Sequence, residues 1–353
     1  MSQGPVRAAS LALAALLTAA APAYAVTLTG TPGDDILTGT EGDDRIEARA
    51  GDDLLSGLGG HDVLYGEVGD DTLDGGDGPD NLGGGTGADL LKGGYGEDRL
   101  NVSNRDRAYG GPQHDYVVAR NGTFVVHGGS GSDRIDSSGS GEQQLFGDSG
   151  DDRVQVQQQQ DPNTRLLGGP GNDDVYAFDD AEDGAVRIAL LSGGAGDDDV
   201  GGEATVLSGG PGNDNLSTYT NYPGAPRTVS CGDGLDFVSS FARDDAFDED
   251  CETVQLFLYV SDGGTLVGTR YNDIVDGGLG DETISTLAGD DEVDARWGSD
   301  TVDLGPGDDY FANWASHAED DVDSVSCGEG YDRVYVYHAD VVATDCEVVD
   351  YRD

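Results

Sequence analysis

A period of nine residues constrains this chain more than any other feature. Gly33, Gly42, Gly51, Gly60, Gly69, Gly78, Gly87 and Gly96 recur at that spacing. Two residues after each stands an aspartate: Asp35, Asp44, Asp53, Asp62, Asp71, Asp80, Asp89 and Asp98. Two residues further on stands an aliphatic: Leu37, Ile46, Leu55, Leu64, Leu73, Leu82, Leu91 and Leu100. The composition, with 70 acidic and 18 basic side chains and a formal charge of −52, would by itself fit a disordered acidic polymer. A register held through eight units excludes that reading for this stretch and identifies an internal repeat.

The fullest unit is Gly75-Gly76-Asp77-Gly78-Pro79-Asp80-Asn81-Leu82-Gly83. It resembles the hemolysin-type, or RTX, calcium-binding nonapeptide repeat, glycine-glycine-x-glycine-x-aspartate-x-aliphatic-x. The resemblance implies an all-β fold, a parallel β-roll or β-helix solenoid. Six residues of each unit form a turn, three form a short strand, and two units close one coil. The residue types suit that fold. Glycine permits the backbone of a tight turn, and carbonyl and carboxylate oxygens are hard ligands that suit calcium. Coils about 4.8 Å apart place each aspartate beside the equivalent turn eighteen residues later. Filling every gap of two ladders gives roughly six ions for the block. One large aliphatic per unit buries little surface against the entropy of ordering nine backbones. Metal binding then supplies folding energy, and the region is expected to be largely unfolded without calcium.

Beyond Asn101 the pattern loosens. Gly110-Gly111-Pro112-Gln113-His114-Asp115 keeps part of it, and fuller turns begin at Gly128, Gly147, Gly168, Gly193 and Gly209. Their sixth positions, Asp133, Asp152, Asp173, Asp198 and Asp214, join the candidate metal ligands. The spacing is no longer nine, and strand-like pieces such as residues 123–126 and 185–191 lie between. This reads as the same coil with a liganded turn on one side only, continuing the ladder of Gly39, Gly57, Gly75 and Gly93. The run 157–160 falls in a loop of the other side. A second regular block follows at Tyr271, Gly280, Gly289, Gly298 and Gly307, with Asp291, Asp300 and Asp309 as candidate ligands. Tyr271 and Glu282 depart from the pattern, which weakens the first two units.

The four cysteines follow the two blocks. Ser230-Cys231-Gly232-Asp233-Gly234 leads to Asp250-Cys251-Glu252, and Ser326-Cys327-Gly328-Glu329-Gly330 leads to Asp345-Cys346-Glu347. Four cysteines allow three pairings. The duplication, with each pair about one coil apart, favours Cys231 with Cys251 and Cys327 with Cys346, each a stapled cap closing a solenoid end. Zinc ligation is disfavoured by the absence of paired CxxC spacing. The expected organisation is a signal peptide at 1–25, a regular calcium-binding roll at 26–101 and a one-sided β-helix at 102–217. A first cysteine cap at 218–262, a second calcium-binding roll at 263–312 and a second cap at 313–353 follow.

Export follows from the first 25 residues: Arg7, an apolar run from Ala8 to Ala21, and Ala23-Tyr24-Ala25 as a cleavage pattern. The product is expected to be extracellular, where calcium is plentiful and disulfides persist. No later stretch could span a bilayer, and the acidic surface excludes nucleic acid as a partner. Gly147-Asp148-Ser149-Gly150 resembles the nucleophile motif of trypsin-like serine proteases, but it also fits a calcium turn, and no companion histidine segment is recognisable. His61, His114, His127, His317 and His338 form no metal-binding spacing, and His61 takes an exposed turn position. Trp297 and Trp314 are expected to pack on the second block. No catalytic residue is assigned. The expected function is a non-enzymatic calcium-binding solenoid in adhesion or matrix, with an extracellular protein or polysaccharide partner. The alternatives are an enzyme acting on polysaccharide along a β-helix face, and a hemolysin-like toxin.

Overall fold

The computed structural model describes residues 24–157, 161–178, 188–218, 227–241, 245–313 and 322–352. Most of the leader, residues 158–160 and 185–187, Trp314 and His317 lie outside the described residues. Within them the chain is an all-β parallel solenoid without helix. Its strands run from Thr27–Thr29 to Val348–Arg352, and every pairing between them is parallel.

The eighteen-residue coil follows from the repeat. Side chains alternate across a strand, so the aliphatic of each unit points inward while its neighbours point out. Leu55 pairs with Leu73 and Leu73 with Leu91 on one wall, and Ile46 with Leu64, Leu82 and Leu100 on the other. All of these are fully buried, and they begin one core that extends to Val336. A first sheet of eighteen strands runs the length of the described chain. A second sheet of twelve strands faces it from Ile36–Thr38 to Ala246–Phe247, and a third of five strands takes over from Thr265–Thr269 to Val341–Val342.

The irregular spacing after residue 101 is confined to one edge. From second sheet to first, the inward residues stay nine apart: Leu91 to Leu100, Ala108 to Val117, Val126 to Ile135, Leu145 to Val154, Leu166 to Val175 and Leu191 to Val200. Insertions enter only on the return from first sheet to second, between Val154 and Leu166 or Val175 and Leu191. Strand register resumes past each insertion, with Val154 paired to Val175 and Leu166 to Leu191.

Both disulfides form, Cys231 with Cys251 and Cys327 with Cys346, with Cα atoms 5.1 and 5.2 Å apart. The first does not stand at an open end. The strand Thr253–Tyr259 pairs backward with Phe237–Ser240 and forward with Asn272–Asp276, so the first sheet passes through without a break. That strand changes its inward residue from Val254 to Leu258 between its two neighbours. The cysteine element is therefore a joint at which one opposing sheet is exchanged for another.

Candidate cation ladders at the turns

The nine-residue edge carries a column of carboxylates. The Asp44 N–H donates to Asp62 Oδ1 at 2.7 Å, and the Asp62 and Asp80 N–H groups donate to Asp80 and Asp98 Oδ1, each at 2.8 Å. The column then passes through Asp115, Asp133, Asp152, Asp173, Asp198, Asp214 and Asp236 to Glu252. A shorter column on the opposite edge links Asp35, Asp53, Asp71, Asp89 and Asp106. In the second block Asp273, Asp291, Asp309, Asp332 and Glu347 form one column, and Glu282, Asp300, Asp323 and Asp340 the other.

Beyond the first rungs, one oxygen of each carboxylate is thus satisfied by the preceding coil, and the other separates the rungs into two kinds. At ladder ends the turn itself supplies a donor. Asp35 Oδ2 accepts the Thr31 N–H and Asp44 Oδ2 the Thr40 N–H; Asp273 Oδ2 accepts the Thr269 N–H at 2.7 Å. Asp106 and Asp340 are closed by the Ser103 and Tyr337 N–H groups, and Glu282 by three glycine N–H groups. In the ladder interiors, seventeen aspartates have a buried Oδ2 with no hydrogen-bond partner among the described residues. They are Asp53, Asp62, Asp71, Asp80, Asp89, Asp98, Asp115, Asp133, Asp152, Asp173, Asp198, Asp214, Asp236, Asp291, Asp300, Asp309 and Asp332. A buried polar atom left without a partner is costly and rare. Seventeen in register mark a place for something electropositive.

The first residue of each unit shapes that place. A Cβ added at Gly75 would meet both Asp80 Oδ2 and the Gly93 carbonyl oxygen, the latter at 2.5 Å. The same pair of oxygens bounds the space at Gly57, Gly93, Gly110, Gly128 and Gly147. Two acceptors therefore face each other across a gap that only glycine leaves open. The turn around it needs glycine for a second reason: Gly78 has φ of +117° and its Cα lies against the Gly60 carbonyl of the neighbouring coil. Eleven of the seventeen carboxylates, Asp62 to Asp98 on both edges and Asp115 to Asp214 on one, stand beside such a glycine. The remaining six stand beside Ala48, Cys231, Thr286, Ala295, Leu304 or Cys327, all fully buried. Thr286 Oγ1 donates to the Leu304 carbonyl at 2.5 Å, so a side chain fills that turn.

Burial raises these carboxyls far above the ordinary aspartate value. Loss of solvation is the largest cause, the neighbouring N–H opposes it, and adjacent carboxylates add to it. Asp62, Asp71, Asp89, Asp98, Asp133, Asp173 and Asp214 are pushed up to about 6. Asp80, Asp152, Asp198, Asp291 and Asp309 rise to about 7, and Asp115 and Asp300 to about 8.

No three His, Cys, Asp or Glu side chains converge on one point among the described residues. A cation at these turns must therefore draw on main-chain carbonyls as well as carboxylates, which selects a hard, oxygen-seeking ion such as calcium. When bound, such an ion supplies positive charge between opposed oxygens. The chain's own part is to hold Oδ2 and the carbonyl in register through the Oδ1 hydrogen bond.

Asp115, Asp236 and Asp332 are interior rungs that a strict reading of the motif passes over. Asp115 follows a turn that keeps only its two leading glycines, and the other two follow a cysteine in the first position. The carboxylates Asp35 and Asp44 sit at first rungs, Asp44 with both oxygens engaged and Asp35 with Oδ2 engaged. Asp148 and Ser149 lie on a turn of the long ladder, with Ser149 Oγ donating to the Gly129 carbonyl and Asp148 bonded to His127 Nδ1 at 3.0 Å. Trp297 does not pack: it is 40 % exposed on the third-sheet edge, because the third position of a turn points outward. His61 is exposed, as its turn position implies.

These ladders define a class, the parallel solenoids whose turns present stacked oxygens to cations. The model of the RTX calcium-binding nonapeptide repeat matches residues 29–64, 49–82, 74–104, 102–135, 261–291 and 276–311. The chain carries several copies of the RTX calcium-binding nonapeptide repeat. The long carboxylate column continues past the matched residues, through Asp152, Asp173, Asp198 and Asp214. No curated protein matches this sequence.

Proposed function

We propose that the chain is an exported calcium-binding solenoid whose glycine-flanked turns take up calcium, and that the ions complete the fold. The observation that carries this reading is the set of eleven buried, unpartnered Oδ2 atoms, each beside a first-position glycine. Repulsion among these carboxylates opposes folding until cations enter, so order and calcium uptake are coupled. Two disulfides and an apolar leader ahead of Ala25 support an extracellular setting. The role there is non-enzymatic, as an adhesive or matrix element, since the carboxylates recur in nearly every coil where an active site would be single. Circular dichroism and calorimetry of the mature protein during a calcium titration test the reading. Strong β-sheet signal that persists unchanged in chelator would refute coupling, and absence of calcium uptake would refute the function.

A further inference from the structure

The long carboxylate column begins where the leader ends. Each later rung of that column is bonded by the N–H of the aspartate one coil before it, as Asp62 is by Asp44 and Asp80 by Asp62. Asp44 has no aspartate in that place. Val26 stands there, eighteen residues earlier, and its N–H donates to Asp44 Oδ1 at 2.6 Å. The Val26 carbonyl accepts the Arg45 N–H at 2.9 Å, and Thr27 pairs with Arg45, so the first strand holds the Val26 nitrogen in ladder register. The Asp44 carboxylate is buried, and the adjacent Arg45 guanidinium is committed to Glu47 on the outer face. Tyr24 and Ala25, just before Val26, are exposed.

The bond between Ala25 and Val26 is the one that leader processing would hydrolyse. A leader peptidase adds one water across it. The water oxygen joins the Ala25 carbonyl carbon, which departs as a carboxylate, and the Val26 nitrogen takes up the protons as an α-ammonium. The new cation thus forms on the atom that already donates to Asp44 Oδ1. We infer that leader removal creates an ion pair between the Val26 α-ammonium and Asp44, which closes the first rung of the long ladder as calcium closes the interior ones. The inference rests on the export reading above and adds to it a link between processing and order. Before cleavage Val26 offers Asp44 only a neutral amide, and a charge-assisted bond is roughly twice as strong. Cleavage also removes a contact, because Thr40 Oγ1 donates to the Tyr24 carbonyl at 2.9 Å. The lost contact loosens this edge and the gained charge tightens it, so the two effects are opposite in sign.

The test compares two chains in calcium at about pH 6.5, where an α-amine is charged. One is released from a fusion to begin at Val26, the other to begin at Tyr24. Hydrogen exchange of the Arg45 amide, which donates to the Val26 carbonyl, reads how firmly Val26 is docked. Exchange should be about tenfold slower in the chain that begins at Val26. Asp44→Asn keeps the acceptor oxygen but removes the charge, and should abolish that difference. Equal or faster exchange in the shorter chain overturns the inference, as does a difference that persists in Asp44→Asn. N-terminal sequencing of the exported protein should begin at Val26, and another terminus overturns the inference together with the leader boundary. Circular dichroism of the same samples with calcium and with chelator reads the calcium-dependent fold, so failure of that reading is seen apart from failure of the ion pair.

Discussion

Replacing Asp80 by asparagine should change stability in opposite directions with and without calcium. Asp80 Oδ1 accepts the Asp62 N–H at 2.8 Å, and an asparagine Oδ1 preserves that bond. Asp80 Oδ2 has no partner and faces the Gly93 carbonyl across the Gly75 gap; an asparagine Nδ2 placed there donates where the carboxylate repels. The Asp80 carboxyl is raised from 3.8 to about 7, so at pH 8 the metal-free fold holds an ionised group that it disfavours. The whole shift would correspond to about 4 kcal/mol, and solvent screening at the turn reduces it to about 1–2 kcal/mol. Asp80→Asn should therefore stabilise the metal-free coil by that amount. In about 100 mM calcium the sign reverses. A site of extracellular affinity contributes about 2.7–4.1 kcal/mol there, and the variant forfeits most of it, a net loss of about 1–2 kcal/mol once the relieved repulsion is subtracted. Coils contact only their neighbours, so the effect is local. Hydrogen exchange of the Asp62 amide, measured with chelator and a stabilising osmolyte and again with calcium, reports it. Exchange should slow about 5–30-fold in the first condition and quicken by a similar factor in the second. A change of the same sign in both conditions would refute the claim that this oxygen awaits a cation.

Three further outcomes follow from the same geometry. The metal-free fold should lose structure as pH rises. Its carboxyls bind protons more tightly folded than unfolded, so their contribution is complete below about pH 4 and is lost as pH climbs through about 6 to 8. Circular dichroism against pH in chelator checks this, and calcium should flatten the curve while releasing protons near neutrality. Gly75→Val should place a side chain among Asp80 Oδ2 and the Gly93 carbonyl and remove one calcium from the stoichiometry measured by calorimetry, with an unchanged count refuting the location. Replacing Cys231 and Cys251 together by alanine should cost about 3 kcal/mol in denaturant unfolding with calcium present, for a loop of 20 residues. A loss confined to the neighbourhood of Phe247 and Tyr271, which pack edge to face near the joint, would confirm that the element links two sheets.

The nine-residue register made the coil, the inward aliphatics and most ladder aspartates legible from sequence, because each is set by a spacing that pairing cannot alter without turning every side chain over. Leu73 and Leu82 fall where the period places them. Other features depend on what a neighbouring coil supplies. That Thr31, Thr40 and Thr269 close the first rungs is visible only once the Asp35, Asp44 and Asp273 carboxylates are seen to turn back on them. That the Cys231 element is a joint depends on Thr253–Tyr259 shifting its inward residue, which no local motif announces.

The two repeat blocks look alike in sequence, but their turns are completed differently, and this gives the last prediction. In the first block and the column beyond it, Gly57, Gly75, Gly93, Gly110, Gly128, Gly147, Gly168, Gly193 and Gly209 leave the turn interior open. In the second block Thr286, Ala295, Leu304 and Cys327 fill it, and all four are buried to within 1 %. A side chain in that position brings apolar contact and, at Thr286, a hydrogen bond to the Leu304 carbonyl. It replaces part of what an ion would contribute, and it also crowds the space an ion would enter. Calcium withdrawal should accordingly disorder residues 54–218 at a higher free-calcium concentration than residues 265–352. Because the first sheet runs through both, the boundary of protection should fall near Thr253–Tyr259. Peptide-resolved hydrogen exchange across a calcium series reads both transitions. Loss of protection in the second block first, or in both blocks at one concentration, would mean that the first position of the repeat does not decide how strongly a coil relies on calcium.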